Sequence, residues 1–280
     1  MARPDPKHDL AAVSALAVEL GLGPCAPQVL KLARHTTVRL GPQRLVARVQ
    51  SAERPLAARA RMEREIAVAQ HLAARGAPAV RASVEPAPGP YEIGGCLISL
   101  WAFVDHWSAD ETDAAAAGEA LCAVHAALAS YEGELPACRE VVVRCAALAE
   151  DAAKMAAAPA DDRALLAGFV RQGLAYLPED PAAWRPLHGD THLGNAMITR
   201  TGPVWGDLEA ACRGPLEWDL ANKPASFLAA FEGYDPGVLA ELGALRRACV
   251  AVWCWADVDR SPEIREAAEL HTAWLRRHAG

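Results

Sequence analysis

No run of apolar residues in this 280-residue chain approaches the roughly twenty that cross a bilayer. The opening Met1-Ala2-Arg3-Pro4-Asp5-Pro6-Lys7 lacks the apolar core of a secretory leader. An excess of basic charge is also missing: 28 Lys and Arg stand against 35 Asp and Glu, for a net charge of −7. That excludes the positive footprint of phosphate-backbone binding, so neither nucleic acid nor an anionic membrane is an expected partner. The eight cysteines contain no paired CxxC spacing. Buried free thiols in a reducing cytosol account for them better than disulfides or zinc. A soluble cytoplasmic protein with a neutral or cationic small-molecule substrate is expected.

With 52% hydrophobic residues, the chain has enough apolar material for one large domain or two lobes. Leu10, Val13, Leu16, Ala17 and Leu20 recur at helical spacing, predicting a leading helix over 9–20 that stops at Gly21. Strands are predicted over 28–32, 36–40 and 45–49, then a helix from Pro55 to about residue 75. A strand pair at 80–84 and 96–103 follows, joined by a Pro- and Gly-rich stretch. Beyond Phe103 the pattern becomes alanine-rich and helical, with helices expected over 110–130, 138–157, 161–176, 216–231, 236–258 and 262–278. These patterns predict an α+β chain of two parts: residues 1–103 with an antiparallel sheet and one main helix, and a larger, mostly helical part over 104–280.

The stretch Leu187-His188-Gly189-Asp190-Thr191-His192-Leu193-Gly194-Asn195 interrupts the helices. Asp190 and Asn195 are close enough in sequence to share one tight loop, and a hairpin over 196–206, turning at Arg200-Thr201-Gly202-Pro203, returns Asp207 beside Asn195. Two carboxylates brought near one another repel by roughly 4 kcal/mol at about 4 Å in an effective dielectric near 20, unless one is protonated or a cation lies between them. Oxygen donors without His or Cys at ligand spacing favour Mg²⁺, which in such sites also holds substrate phosphates. Phosphoryl transfer follows, with Asp190 as the base for an attacking hydroxyl and Asn195 and Asp207 as metal ligands; protein kinases use the same Asp-x-x-x-x-Asn spacing. Each residue alone would be an ordinary turn residue. Their order and spacing argue for the site.

His188-Gly189-Asp190-Thr191-His192-Leu193-Gly194-Asn195 resembles the HGDxHxxN signature of the aminoglycoside phosphotransferase and choline kinase family. Trp205-Gly206-Asp207-Leu208-Glu209 and Glu217-Trp218-Asp219-Leu220-Ala221 resemble its second and third blocks, in the family's order. The resemblance implies a bilobal protein-kinase-like fold, with catalytic loop 187–195 and metal loop 204–209. It implies ATP or GTP as phosphoryl donor, Mg²⁺ as cofactor and a hydroxylated small molecule as acceptor. It makes His188 a structural residue of the loop and Asp219 a buried brace. His192 lies near the phosphates or packs, and Glu209 faces substrate or bonds nearby backbone.

In Val46-Ala47-Arg48-Val49, Arg48 stands where the kinase pattern Val-Ala-Ile-Lys has its lysine. Glu65 resembles the glutamate that pairs with it, although Arg61 and Arg64 offer ordinary helix partners. Arginine keeps the charge but changes the geometry, which leaves the choice of ATP or GTP open. The loop Ala33-Arg34-His35-Thr36-Thr37 would cover the phosphates. Trp101 and Phe103, on the strand over 96–103, resemble the hinge that hydrogen-bonds adenine through backbone groups; alternating aromatics are equally strand core. Trp107, Trp253, Trp255 and Trp274 supply either an aromatic wall or packing. An antibiotic-resistance kinase, a metabolic kinase for an amino alcohol or sugar, and a silent nucleotide-binding module are the three readings. The sequence leaves the acceptor and the oligomeric state open.

Overall fold

The structure, a computed structural model, describes residues 5–32, 35–51, 55–177 and 184–279. In chain order the elements begin α1 (Pro6–Glu19), β1 (Ala26–Leu32), β2 (Thr36–Gly41), β3 (Leu45–Ser51), α2 (Pro55–Ala74), β4 (Tyr91–Ile93), β5 (Cys96–Ala102), β6 (Trp107–Ser108) and α3 (Ala114–Leu128). They continue with α4 (Cys138–Glu150), α5 (Ala160–Gly173), β7 (Arg185–Leu187), β8 (Ala196–Thr199), β9 (Gly202–Trp205), β10 (Cys212–Gly214), α6 (Glu217–Leu220), α7 (Ala225–Leu228), α8 (Pro236–Ala256) and α9 (Pro262–His278). The chain divides into two compact units: Met1–Glu134 with His192–Ala211, and Leu135–Thr191 with Cys212–Gly280. No helix among the described residues is long and apolar enough to cross a membrane, and all eight cysteines are free.

In the first unit, α1 begins earlier than its apolar spacing suggests. The Asp5 carboxylate accepts from the Lys7 and His8 amides at 3.0 and 3.4 Å, and Pro6 suits the first helical position. One sheet runs in the order β1-β2-β3-β5-β4, with antiparallel neighbours. Strand alternation points Leu45, Ala47 and Val49 of β3 into a core with Val13, Leu16 and Ala17 of α1 and Val38, Leu40, Ile98 and Leu100 of the sheet. Arg48 therefore leaves on the opposite face. The segment expected as a strand over 80–84 meets β5 only at one antiparallel bridge, Ala82 to Trp101, with the Ser83 amide on the Leu100 carbonyl at 2.9 Å and the Ala102 amide on the Arg81 carbonyl at 3.0 Å, and Val84 is exposed. The first half of β5 pairs instead with β4, inside the stretch expected to be a linker, and Pro86, Pro88 and Pro90 separate β4 from the bridge at Ala82. A second sheet of the unit, ordered β6-β8-β9, contains the hairpin.

The second unit is helical around the β7–β10 pair. Its core joins Val142 and Cys145 of α4, Leu166 and Val170 of α5, Leu242, Leu245, Cys249 and Val252 of α8, and Leu275 of α9. Two expected helices are shorter than their alanine content suggests. α4 stops at Glu150 because Asp151 turns extended (ψ 94°) and its carboxylate takes the Ala153 and Lys154 amides, both at 3.1 Å. The helix expected over 216–231 is broken into α6 and α7, where Asn222 adopts φ +62° and Pro224 follows.

Candidate active site

In the first unit, the outward face of β3 carries Arg48 into a cluster of three carboxylates. One guanidinium nitrogen donates to Glu65 of α2. The other donates to Asp207 Oδ1 at 3.1 Å and lies 3.8 Å from Glu209 Oε2. His35, at the β1–β2 turn, places Nε2 2.8 Å from Glu209 Oε2. Burial pushes the Arg48 guanidinium down, but Glu65, Asp207 and Glu209 together hold it above its ordinary value. Burial likewise pushes Glu65 up, to about 7, with Arg48 pulling the other way and the two neighbouring acids adding to the rise. The Asp207 carboxylate is 39% exposed, whereas that of Glu65 is 5% exposed. Asp207 is therefore the member of this cluster with an oxygen open to a ligand.

The hairpin positions Asp207. Trp205 is fully buried: its indole donates to the Ala117 carbonyl of α3 at 3.1 Å, and its backbone bonds Pro78 and Val80. The Gly206 amide then donates to the Asn195 carbonyl at 2.9 Å, which sets Asn195 and Asp207 at the same end of the hairpin. A Cβ on Gly206 would approach the flexible end of Met197, Cε, to 2.7 Å and Val80 Cγ1 to 3.4 Å, so a larger residue there would require Met197 to turn aside. Asp207 itself adopts φ +59°, ψ +61°, a left-handed conformation that costs a non-glycine residue about 1–2 kcal/mol. The turn is Arg200-Thr201, shorter than expected, because Gly202 and Pro203 already belong to β9. Asn195 is buried at the end of a short 3₁₀ turn, and His192, which precedes it, is exposed.

In the second unit, Asp219 is fully buried and takes two backbone amides: His188 N–H on Oδ2 and Gly189 N–H on Oδ1, each at 2.9 Å. Thr191 Oγ1 donates to the Asp219 carbonyl. Gly189, at φ +88°, makes the bend that lets consecutive amides converge on one carboxylate. His188 is also fully buried, and its Nδ1 accepts the Asp190 amide at 3.3 Å. Asp190 projects from this clamped loop with its carboxylate 38% exposed.

Two residues beside Asp190 escaped the sequence reading. Arg246 of α8 lies 4.6 Å from the Trp218 ring centroid, donates to the Gly189 carbonyl at 3.1 Å and reaches Asp190 Oδ1 at 3.3 Å. Lys223 donates to the Ala221 carbonyl at 3.1 Å. Its ammonium is pushed down to about 8, by burial first and the Arg246 charge next, against the pull of Asp219 and Asp190. The signal for Arg246 was present: Arg246-Arg247 is a pair of charges inside the apolar run of α8.

The other expected site residues are placed as follows. Trp101 is buried, its indole donating to Ser99 Oγ at 2.8 Å, and it pairs with Val46 in the ladder. The Phe103 amide donates to the Arg44 carbonyl at 2.8 Å, and the Arg39 guanidinium lies 4.2 Å from its ring centroid. Of the expected phosphate loop, Ala33 and Arg34 lie outside the described residues. Among the tryptophans, Trp255 is core, donating to Thr272 Oγ1 at 3.0 Å, while Trp107 is exposed.

The family model described as "Phosphotransferase enzyme family" matches residues 29–260. No curated protein sequence matches the chain. Among solved structures, a choline/ethanolamine kinase family protein from Mesorhizobium loti is similar at 18% identity, covering 96% of this chain and 92% of its own, with a TM-score of 0.64. The GDP and kanamycin complex of APH(2")-IIIa is similar at 12% identity, covering 96% and 98%, with a TM-score of 0.69. The amicoumacin kinase hAmiN, in complex with AMP-PNP, Ca²⁺ and Ami, is similar at 12% identity, covering 99% and 94%, with a TM-score of 0.69. These likenesses show the fold: α+β and kinase-like.

Proposed function

The chain belongs to the phosphotransferase enzyme family, as a small-molecule kinase with an alcohol group as acceptor, and from that premise we propose that it moves the γ-phosphoryl group of ATP or GTP to a hydroxyl of an antibiotic. The observation that carries this reading is Asp190: a part-exposed carboxylate on a loop whose backbone is clamped by the buried Asp219. In this reading Asp190 accepts the proton of the attacking hydroxyl, and Arg246 holds the carboxylate in place from behind. Pre-positioning of this kind is the main contribution a protein makes to phosphoryl transfer.

Residues up to 103 would offer the nucleotide Arg48 and the hinge, and residues 104–280 the catalytic loop, the metal loop and the acceptor pocket. Asn195 and Asp207 offer oxygen donors only, a chemistry that fits Mg²⁺, and Asp207 keeps an exposed oxygen while one of its oxygens is on Arg48. The ion, when bound, supplies positive charge to the nucleotide phosphates. Arg48, held between Glu65 and Asp207, would keep the remaining guanidinium edge for phosphate, and His192 would lie nearby. His188 and Asp219 support the loop. Phe103 would border the base through its ring, because its amide is already on Arg44, whereas Trp101 is buried with its indole on Ser99 and would serve the site only as strand core. The net charge of −7 favours a cationic acceptor.

A second reading, a kinase of amino alcohols, is favoured by the likeness to the choline/ethanolamine kinase family protein. One screen separates the two: ATP and GTP consumption with Mg²⁺ against aminoglycosides, amicoumacin, choline, ethanolamine and aminopropanol. Turnover with the antibiotics alone supports the first reading, and turnover with the amino alcohols alone replaces it with the second. On whichever acceptor is turned over, Asp190→Ala is expected to lower kcat by about 10²–10⁴. Unchanged turnover in a folded variant would remove Asp190 from the role of base.

A further inference from the structure

Asp9 is buried in the first turn of α1, at 5% exposure, where an ordinary surface helix would keep a carboxylate in water. One of its oxygens accepts from Thr36 Oγ1 of β2. The other faces Cys96 Sγ at 3.7 Å and His8 Nδ1 at 3.9 Å, and Cys96 Sγ is 3.5 Å from the same His8 nitrogen. An oxygen, a sulfur and a nitrogen thus form a nearly equilateral triangle. Around a zinc ion with tetrahedral bonds of about 2.0–2.3 Å, neighbouring ligand atoms lie about 3.3–3.6 Å apart. The triangle is one face of that tetrahedron, open by a few tenths of an ångström.

We propose that His8, Asp9 and Cys96 form a binding site for a zinc-type divalent cation, with the fourth position left to water. A thiolate, a carboxylate and a neutral imidazole carry together the charge that a divalent ion cancels. The sulfur and nitrogen select zinc over magnesium or calcium. Thr36 fixes the carboxylate from behind, as outer partners of metal ligands do. Without an ion the cluster closes as a thiol, Cys96 donating to Asp9; binding releases that proton to solvent. Cys96 opens β5, where it pairs with Ile93 of β4 and Ser51 of β3. The ion would therefore tie the first turn of α1 to the start of a central strand. This site uses none of the residues assigned to phosphoryl transfer and stands or falls separately from it.

The test uses the full chain, stripped with chelator and titrated with Co²⁺ and then Zn²⁺. One equivalent of Co²⁺ is expected to give a thiolate-to-cobalt charge-transfer band that Zn²⁺ displaces, and Cys96→Ser should abolish it. With seven other cysteines in the chain, a band that persists in a folded Cys96→Ser variant overturns the proposal, as does no band in the parent. His8 is half exposed, so His8→Gln should fold and lower Zn²⁺ affinity by about tenfold or more. If Cys96→Ser does not fold, His8→Gln decides: parent-like affinity overturns the site.

Discussion

Arg246 shows how one side chain can serve a carboxylate two ways. It neutralises Asp190 and, through the Gly189 carbonyl, holds the backbone that carries it. Hydrogen bonds to charged groups contribute about 1.5–3 kcal/mol, and each ~1.4 kcal/mol is tenfold in rate. Arg246→Ala is thus expected to lower kcat/KM by about 10–100-fold while the chain still melts cooperatively. Steady-state kinetics showing a parent-like value would mean the contact is incidental. Lys223 makes a prediction of the opposite kind, about stability and pH. Its folded value of about 8 lies below the ~10.4 of an unfolded lysine. Below about 8 the ammonium is charged in both states, and the fold carries the full cost of burying it. As pH rises from about 8 towards ~10.4, only the unfolded chain keeps the proton, so stability rises. Lys223→Met should exceed the parent in stability at neutral pH, and denaturant titrations should show the gap narrowing through that window. A constant gap would show that Lys223 titrates normally.

At the scale of the element, the loop preceding Asp190 has its amides held by one buried carboxylate, Asp219, while Arg246 takes the Gly189 carbonyl. Asp219→Asn changes no shape but turns an acceptor towards the His188 or Gly189 amide as a donor. A loss of about 1–3 kcal/mol is expected, read as a lowered urea midpoint with an unchanged slope; an unchanged midpoint would mean the loop holds itself. The sequence made this brace legible only through resemblance, because nothing in the residues 216–221 says that one carboxylate takes two amides 30 and 31 positions away. Periodic elements were readable from the residues alone: β2, β3, α2 and α9 lie where alternation or helical spacing predicts them. Failures fell where side-chain bonding overrode propensity. Asp151 captures its own following amides and ends α4 early, and the first half of β5 pairs with β4, beyond the prolines that follow Val84.

The whole molecule was the scale least visible in sequence. The first unit takes its last strands from residues 192–211, although both flanks of that segment belong to the second unit. Composition changes near residue 104, yet α3 remains with the first unit because Trp205 of β9 is inserted against it. A fragment of residues 1–134 would leave Val80 and α3 without Trp205. It should melt without a sharp transition, and adding 192–211 through a Gly/Ser linker should restore one in thermal circular dichroism. A sharp melt of the bare fragment would show that the hairpin is dispensable to this unit. Of the site, the acids and their order were legible. Arg246 stood out as a charge in an apolar run, but its role was not legible, because it depends on which turn of α8 meets the loop, and spacing along one helix does not encode that.

The same interleaving imposes an order in time. A ribosome releases the chain from its N-terminus, and domains generally fold as units while they emerge. Here the core of α1 and the first sheet lies within residues 12–100, whereas Val80 and α3 wait for Trp205, and the residues from 135 to 191 wait for α8 and α9. The first unit is therefore complete only once residue 205 has emerged, and the residues from 135 to 191 stay without their core partners until α8 follows. Chaperone demand should therefore be greatest while residues 135–256 are being translated.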